Sequence, residues 1–358
     1  MSNFAGMNHK TMNILVVRMR QMGDAILATS LLNTLRRTFA DARIDFVLNE
    51  RIAPLFEGHP SVDRLITFSD SERHNARVYI KKVWQVVHAT HYDVIIDMRS
   101  TANTMLFALF SPATKYRIGL RKPYTLPAFN HRVAENTGGR SIIDHDISFA
   151  APLSGLKPIE AVRDFTLHIS DSEYTDFGTY LRSQGIDTDS PLMVANVTAK
   201  LASKVWAEER MVEVLRRFIG KYPSWQIVFN YAPGQEAENA RRIYTTLGCP
   251  PQVKIDVQAS SPRQLVAMGR YTTLFFGNEG GARHIMQAAG CPSLVVCAPE
   301  NNKHTWLPQT QVEARGISPA DLATATQLAG MSREEQYALI TPDIVWQQLD
   351  DMTRRMEK

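Results

Sequence analysis

The 358-residue sequence predicts an α/β protein: two doubly wound parallel-sheet domains in series, facing a cleft. Three observations predict it. Short apolar runs alternate with segments of helical period over residues 13–119, and the same rhythm restarts at residue 192. Between them lies a less regular stretch, 120–170, holding Pro123, Pro127, Gly138, Gly139, Pro152 and Pro158. The length suits two domains of common size.

In chain order, residues 1–11 read as a disordered start. Asn13 to Val17 is an apolar strand, followed by Arg18-Met19-Arg20-Gln21-Met22-Gly23-Asp24 and a helix with Leu27, Leu31 and Leu35 on one face. Strands follow at Ile44–Leu48 and Leu65–Phe68, a helix at Val78–Val87, a buried strand in Asp93–Asp97, a helix at Thr101–Phe110 and a short strand at Tyr116–Gly119. The first domain spans 12–168 and a connector helix 169–189. The second domain, 190–341, repeats the pattern. Its strands are Leu192–Val197, Gln226–Asn230, Val253–Val257, Thr273–Phe276 and Ser293–Cys297. Its helices are Ala207–Lys221, Gly234–Gly248, Ser261–Gly269 and one opening near Gly281. Thr341-Pro342-Asp343 starts a last helix, 342–356: Thr caps, Pro takes the first helical position and Asp meets the dipole.

The second domain is organised around Phe275-Phe276-Gly277-Asn278-Glu279-Gly280-Gly281-Ala282-Arg283-His284. A buried strand ends, glycines bend the chain, and a helix begins. Unpaired N–H groups and the positive end of a helix dipole make such a turn an anion site. The alternative is an ordinary strand-to-helix turn. Lys204 lies in a loop after another buried strand and can reach a phosphate as a point charge; as a surface lysine it would do nothing. In the first domain, Gly23-Asp24 sits at a strand-to-helix turn flanked by Arg18 and Arg20. Its carboxylate either caps the helix or acts as a general base. G-x-G-x-x-G is absent from that turn, which argues against a nicotinamide dehydrogenase. Asp144-His145-Asp146 and Asp187-Thr188-Asp189 are read as structural or capping carboxylates, not as metal ligands.

Charge is uneven. Residues 1–170 carry 21 Lys+Arg against 15 Asp+Glu, and the remainder 19 against 21. Lys115, Arg117, Arg121, Lys122, Arg132 and Arg140 fall in one stretch with a single acid, Glu135, and with Tyr116, Tyr124 and Phe129 interleaved. This suits an anionic partner, or else is a solvated loop. No nucleic-acid motif accompanies it, so nucleic acid is the weakest partner class. Three cysteines without metal spacing suggest free thiols in a reducing compartment, and no apolar run is long enough to span a bilayer. No signal peptide is read at the N-terminus. The location expected is the cytoplasm, with peripheral contact at a membrane surface as one form the anionic partner could take.

Three blocks resemble the heptosyltransferases of glycosyltransferase family 9. They are Ile14-Leu15-Val16-Val17-Arg18 through Met22-Gly23-Asp24-Ala25-Ile26-Leu27; Asn196 through Lys204 and Trp206; and Glu279-Gly280-Gly281-Ala282-Arg283-His284 through Ala288-Ala289-Gly290-Cys291-Pro292. The resemblance implies a GT-B fold of two Rossmann-like domains, the first completed by the C-terminal helix. It further implies an inverting, metal-independent transfer of heptose from an ADP-sugar to the lipopolysaccharide or lipooligosaccharide inner core, without a cofactor. Asp24 would be the catalytic base. Lys204 and the amides of Gly280, Gly281 and Ala282 would hold the donor pyrophosphate, with Thr198, Glu279 and His284 beside them and Glu236 at the ribose. Arg18, Arg20, Arg117, Arg121 and Lys122 would hold an anionic lipid-linked oligosaccharide acceptor. Two departures stand out. The family usually has Asp-Thr or Asp-Ser before the glycine of the third block, where this chain has Glu279-Gly280. Small polar residues commonly precede Gly-Asp, where this chain has Arg20, Gln21 and Met22. The competing readings are a same-fold transferase with another nucleotide-sugar donor, a non-catalytic nucleotide-sugar binder, which would not need Asp24, and a sugar-nucleotide epimerase, which would not need a basic first domain.

Overall fold

The computed structural model describes residues 11–137 and 139–357. The chain forms two compact units, Met1–Phe165 and Thr166–Lys358. The expected disordered start lies, but for Thr11, outside the described residues.

The first unit holds six parallel strands: β1 (Asn13–Val17), β2 (Arg43–Asn49), β3 (Arg64–Phe68), β4 (Val94–Asp97), β5 (Tyr116–Leu120) and β6 (His131–Val133). Their order is β3-β2-β1-β4-β5-β6, with Leu15 opposite Ile95 where β1 meets β4. The second unit repeats this with β7 (Leu192–Asn196), β8 (Gln226–Phe229), β9 (Val253–Lys254), β10 (Leu274–Asn278), β11 (Ser293–Val296) and β12 (Ala314–Ile317). Its order, β9-β8-β7-β10-β11-β12, has the same reversal, between β7 and β10. All pairings are parallel, so the central strands are covered on both faces and read as unbroken apolar runs. In such sheets ligands bind beyond the carboxyl ends of the strands, where the order reverses. Each unit therefore has one such point: after β1 and β4, and after β7 and β10. The expected α/β architecture of two Rossmann-like sheets is observed.

The differences from expectation have local causes. Strands β6 and β12 are edge strands of three and four residues with no apolar run, His-Arg-Val and Ala-Arg-Gly-Ile, so hydrophobic pattern does not mark them. Helix 101–110 shrinks to Leu106–Leu109, because Thr101 and Thr104 tie their own backbone: Thr101 N–H donates to Thr104 Oγ1 at 2.9 Å. The helix Asp171–Ser183 opens with a capping box from Ser170 and Glu173. It packs on helix Pro262–Tyr271, so it belongs to the second unit and is no free-standing connector. The C-terminal helix, Pro342–Met356, also belongs to the second unit and not, as expected, to the first. Val345, Leu349 and Met352 enter the core formed by Trp206, Leu215, Phe218 and Trp225, and Lys221 Nζ pairs with Asp350 Oδ1 at 2.5 Å. Thr341 caps this helix as predicted.

Candidate functional site

In the first unit, β1 delivers Arg18 to the strand-order reversal, and helix Met22–Leu27 follows at once. The N-cap of that helix is Gln21, and its side chain makes no capping bond; Asp24 stands in the first turn. Asp24 is thus not a cap. Its carboxylate faces two guanidiniums instead, Arg18 Nη2 at 3.4 Å and Arg20 Nε at 3.4 Å. Arg18 is buried. It also donates to Met98 O at 3.1 Å and lies 3.6 Å from Asp146 Oδ2. Asp146 is fully buried, and His145 Nδ1 lies 3.5 Å from it. Neither the carboxylate oxygens nor the ring nitrogens have a hydrogen-bond partner. Of the Asp144-His145-Asp146 triplet, Asp144 is spent on a surface pair with Arg163, whereas Asp146 joins the cluster around Arg18. Asp187 conforms to the capping reading, accepting from Asp189 N–H and Ser190 Oγ.

The neighbouring strand β4 ends in Asp97, also fully buried. Its Oδ1 accepts from the N–H groups of Arg99 and Ser100 at 2.9 and 2.8 Å, while Oδ2 has no partner. Burial holds its pKa up at about 6. Asp97 shapes the loop that carries Arg99, whose guanidinium donates to Met19 O. Sequence reasoning treated Asp97 only as a strand end, missed Arg99, and set Asp146 aside as structural or capping. The available signal was a carboxylate closing the wholly apolar run Val94-Ile95-Ile96.

Of the five cations expected to take the acceptor, four lie at this edge. Arg18 and Arg20 adjoin Asp24. Arg121 follows β5 and is exposed, and Lys122 donates to Arg99 O at 3.3 Å and pairs with Glu135 at 3.5 Å. Arg117 does not join them. It stands level with Ile95 and hence Leu15, back along the sheet, and its guanidinium is taken up by the carbonyls of Pro112, Thr114 and Ala128. A parallel strand moves each residue about 3.3 Å along the sheet, so a cation in the basic stretch falls at one edge or the other by register alone.

In the second unit, three asparagines lock the reversal point. Asn196 donates to the carbonyls of Asn278 and Thr198 at 2.9 and 3.1 Å. Asn278 returns a bond to Asn196 O at 3.2 Å and accepts from Trp206 N–H at 2.8 Å, and Asn230 donates to Asn196 Oδ1 at 2.8 Å. Gly277 makes the close approach possible. It sits at φ 133°, and a Cβ there would lie 2.3 Å from Asn196 O. This network holds together the two loops that carry the predicted donor residues. Lys204 Nζ meets Glu279 Oε1 at 3.0 Å, and Asn301 donates to the other oxygen of the same carboxylate. Thr198 donates to Glu236 Oε2 at 2.8 Å, joining those two predicted contacts.

Gly280 is the N-cap of helix Gly281–Ala288 and provides no side-chain cap. Space beside its Cα is open, since a Cβ there would meet nothing within 4 Å. The first-turn amides, those of Gly281 and Ala282 among them, have no intrahelical acceptor and point to the positive end of the dipole. Arg283 turns away from this opening. It is buried, bonded to Gln287 Oε1 and Trp306 O at 2.6 and 2.7 Å, and burial lowers its pKa to about 10. Burial, with Arg283 and Lys204 nearby, pushes His284 well below the usual imidazole range, so the ring is neutral at pH 7. The arrangement is an anion cradle: one ammonium, a row of backbone amides and a helix dipole. Glu279 is the carboxylate paired with that ammonium.

Known proteins share both sequence and fold with this chain. The pattern of glycosyltransferase family 9 (heptosyltransferase) matches residues 80–337, a range that takes in Lys204 and the Glu279–His284 turn and begins after Asp24. A curated relative, lipopolysaccharide heptosyltransferase 3 of Escherichia coli strain K12, is 22% identical over 309 residues, covering 82% of this chain and 84% of its own. The glycosyltransferase family 9 structure from Veillonella parvula superposes with a TM-score of 0.80 at 18% identity, over 97% of this chain and 98% of that one. The E. coli heptosyltransferase WaaC, solved with ADP-2-deoxy-2-fluoro heptose, superposes at 0.69 with 17% identity, over 95% and 99%. These likenesses carry the GT-B fold, and the family pattern spans most of the chain: the protein belongs to glycosyltransferase family 9, the heptosyltransferases.

Proposed function

We infer that this family member is an inverting glycosyltransferase that moves heptose from an ADP-sugar to an inner-core lipopolysaccharide or lipooligosaccharide acceptor. One observation carries the reading: each sheet brings one half of the required chemistry to its own strand-order reversal. A carboxylate among cations stands at the first, and an anion cradle at the second. The names of the relatives, lipopolysaccharide heptosyltransferase 3 and a heptosyltransferase bound to an ADP-heptose analogue, support the donor and acceptor classes.

In the reaction, Asp24 accepts the proton of an acceptor hydroxyl. The freed oxygen bonds to the anomeric carbon as the bond to the diphosphate breaks, which inverts the centre. Negative charge grows on the leaving ADP. Lys204 and the amides from Gly280 to Ala282 stabilise it, and preorganised donors of this kind are worth about 3 kcal/mol each. Thr198 and Glu236 serve the nucleoside side of the donor, and neutral His284 borders the cradle without adding charge. Arg18, Arg20, Arg121 and Lys122 attract the anionic acceptor. Glu279 pairs with Lys204 and competes with the diphosphate for its ammonium.

The test is ADP release from ADP-heptose, with and without a Kdo–lipid A acceptor, for wild type and Asp24→Asn. The expected result is acceptor-dependent release that falls at least about 100-fold in the variant, with ADP binding unchanged. Release that persists in Asp24→Asn would remove the base from Asp24. Failure to bind ADP would overturn the donor assignment.

A further inference from the structure

Helix Ala76–Ala89 presents to solvent a face that a soluble domain has no internal reason to keep. It begins at N-cap Asn75, whose side chain accepts from Val78 N–H at 3.2 Å, and buries Tyr79, Val83 and Val87 against the sheet. Opposite these lie Arg77, Ile80, Lys81, Trp84 and His88, spaced three, four and seven residues apart on one side, with Val78 at the flank. Val78, Ile80 and Trp84 are 42, 44 and 52% exposed, three exposed large apolar side chains on a single helix. Trp84 is stacked on His88, with ring centroids 4.2 Å apart.

The charge on this helix is of one sign. Its fourteen residues include Arg77, Lys81 and Lys82 and no acid. Lys82 is neutralised by Glu72, but Arg77 and Lys81 have no ion-pair partner among the described residues. An exposed tryptophan and branched aliphatics, interleaved with unpaired cations, match an anionic lipid surface: apolar groups enter the headgroup boundary while cations meet phosphate.

The face begins at the working edge of the first sheet and runs back along the helix. The helix starts from the carboxyl end of β3 and returns to the start of β4, so its first turns share the edge with Asp24. Tyr79, in its first turn, donates to the Sδ of Met19 at 3.7 Å, in the loop between Arg18 and Arg20.

We propose that the outer face of helix Ala76–Ala89, centred on Trp84 with Arg77 and Lys81, docks the first unit on an anionic lipid bilayer. The proposal rests on the transferase reading for its purpose, which is to hold the Asp24 edge where a lipid-linked acceptor is presented.

The experiment is co-sedimentation of the full chain with phosphatidylcholine vesicles, with and without phosphatidylglycerol, at low and high salt. The proteins are wild type, Ile80→Ala/Trp84→Ala and Arg77→Gln/Lys81→Gln. Because all four side chains are exposed, both variants should keep the wild-type circular dichroism and melting temperature. Wild type should bind phosphatidylglycerol vesicles and lose binding with salt. Each cation at an anionic surface is worth about fivefold in affinity, so the charge variant should bind roughly 25-fold more weakly. The apolar variant should fall at least about tenfold. Wild type that ignores phosphatidylglycerol vesicles would overturn the proposal, as would variants that bind like wild type. A wild-type dimer that the same variants dissociate would overturn it too, making the occupant a second copy of the chain. Vesicle binding needs no turnover. A chain that binds vesicles but releases no ADP would therefore refute the transferase and leave this surface standing.

Discussion

Replacing Glu279 with glutamine should tighten nucleotide binding, contrary to the usual outcome of mutating a residue in a binding cradle. Lys204 Nζ stands 3.0 Å from Glu279 Oε1, so this ammonium is already paired. A diphosphate oxygen bonding to the same ammonium would lie about 5 Å from the carboxylate. Two unit charges at that distance repel by about 3 kcal/mol at an effective dielectric constant near 20. The Lys204 side chain is 34% exposed, so solvent screens most of this, and about 1 kcal/mol remains. That corresponds to about fivefold in Kd. Glutamine keeps an oxygen to accept from Asn301, so the loop after β10 should keep its shape. Isothermal titration with ADP, wild type against Glu279→Gln, measures the difference directly. Equal or weaker binding by the variant would refute the reasoning. It would show that the carboxylate aims Lys204 or touches the ligand, instead of competing with it.

Other substitutions probe the surrounding structure. Lys204→Gln should weaken ADP at least about tenfold and lower turnover by about 100-fold or more, because it removes the ammonium that would meet the leaving diphosphate; steady-state kinetics with ADP titration separate the two. Gly277→Ala sets a Cβ 2.3 Å from Asn196 O at a φ of 133°. The strain should cost at least about 3 kcal/mol, lowering the melting temperature of the second unit by about 6–12 °C, and ADP affinity should fall with it. Asp97 gives a pH signature. Its folded pKa, about 6, lies above its ordinary value of 3.8, so the folded state holds a proton that the unfolded state has lost. Its contribution should therefore destabilise the first unit as pH rises from about 4 to 6, by about 3 kcal/mol in all. In chemical denaturation across that range, the stability difference between Asp97→Asn and wild type should grow in favour of the variant; a constant difference would refute the assignment.

Sequence alone determined the repeated strand-and-helix rhythm, the buried central strands, and the three blocks holding Asp24, Lys204 and the Gly280-Gly281 turn. Those features are local. A strand covered on both faces must be apolar along its length, and a helix start after glycines is written in consecutive residues. Tertiary structure decided the rest. Arg117 and Arg121 are four residues apart in one basic stretch, yet strand register sends one back along the sheet and the other to the working edge. Asp146 read as a structural or capping carboxylate, and only folding placed it, buried, beside Arg18, more than a hundred residues away. The asparagine lock of residues 196, 230 and 278 joins three strands that only the sheet makes neighbours. The last helix could cover either unit by its pattern, and it covers the second because Trp206, Phe218 and Trp225 leave an apolar surface there. Periodicity reports which face of an element avoids water. It holds no information on which distant surface will exclude that water, or on which charges will be left facing one another when it does.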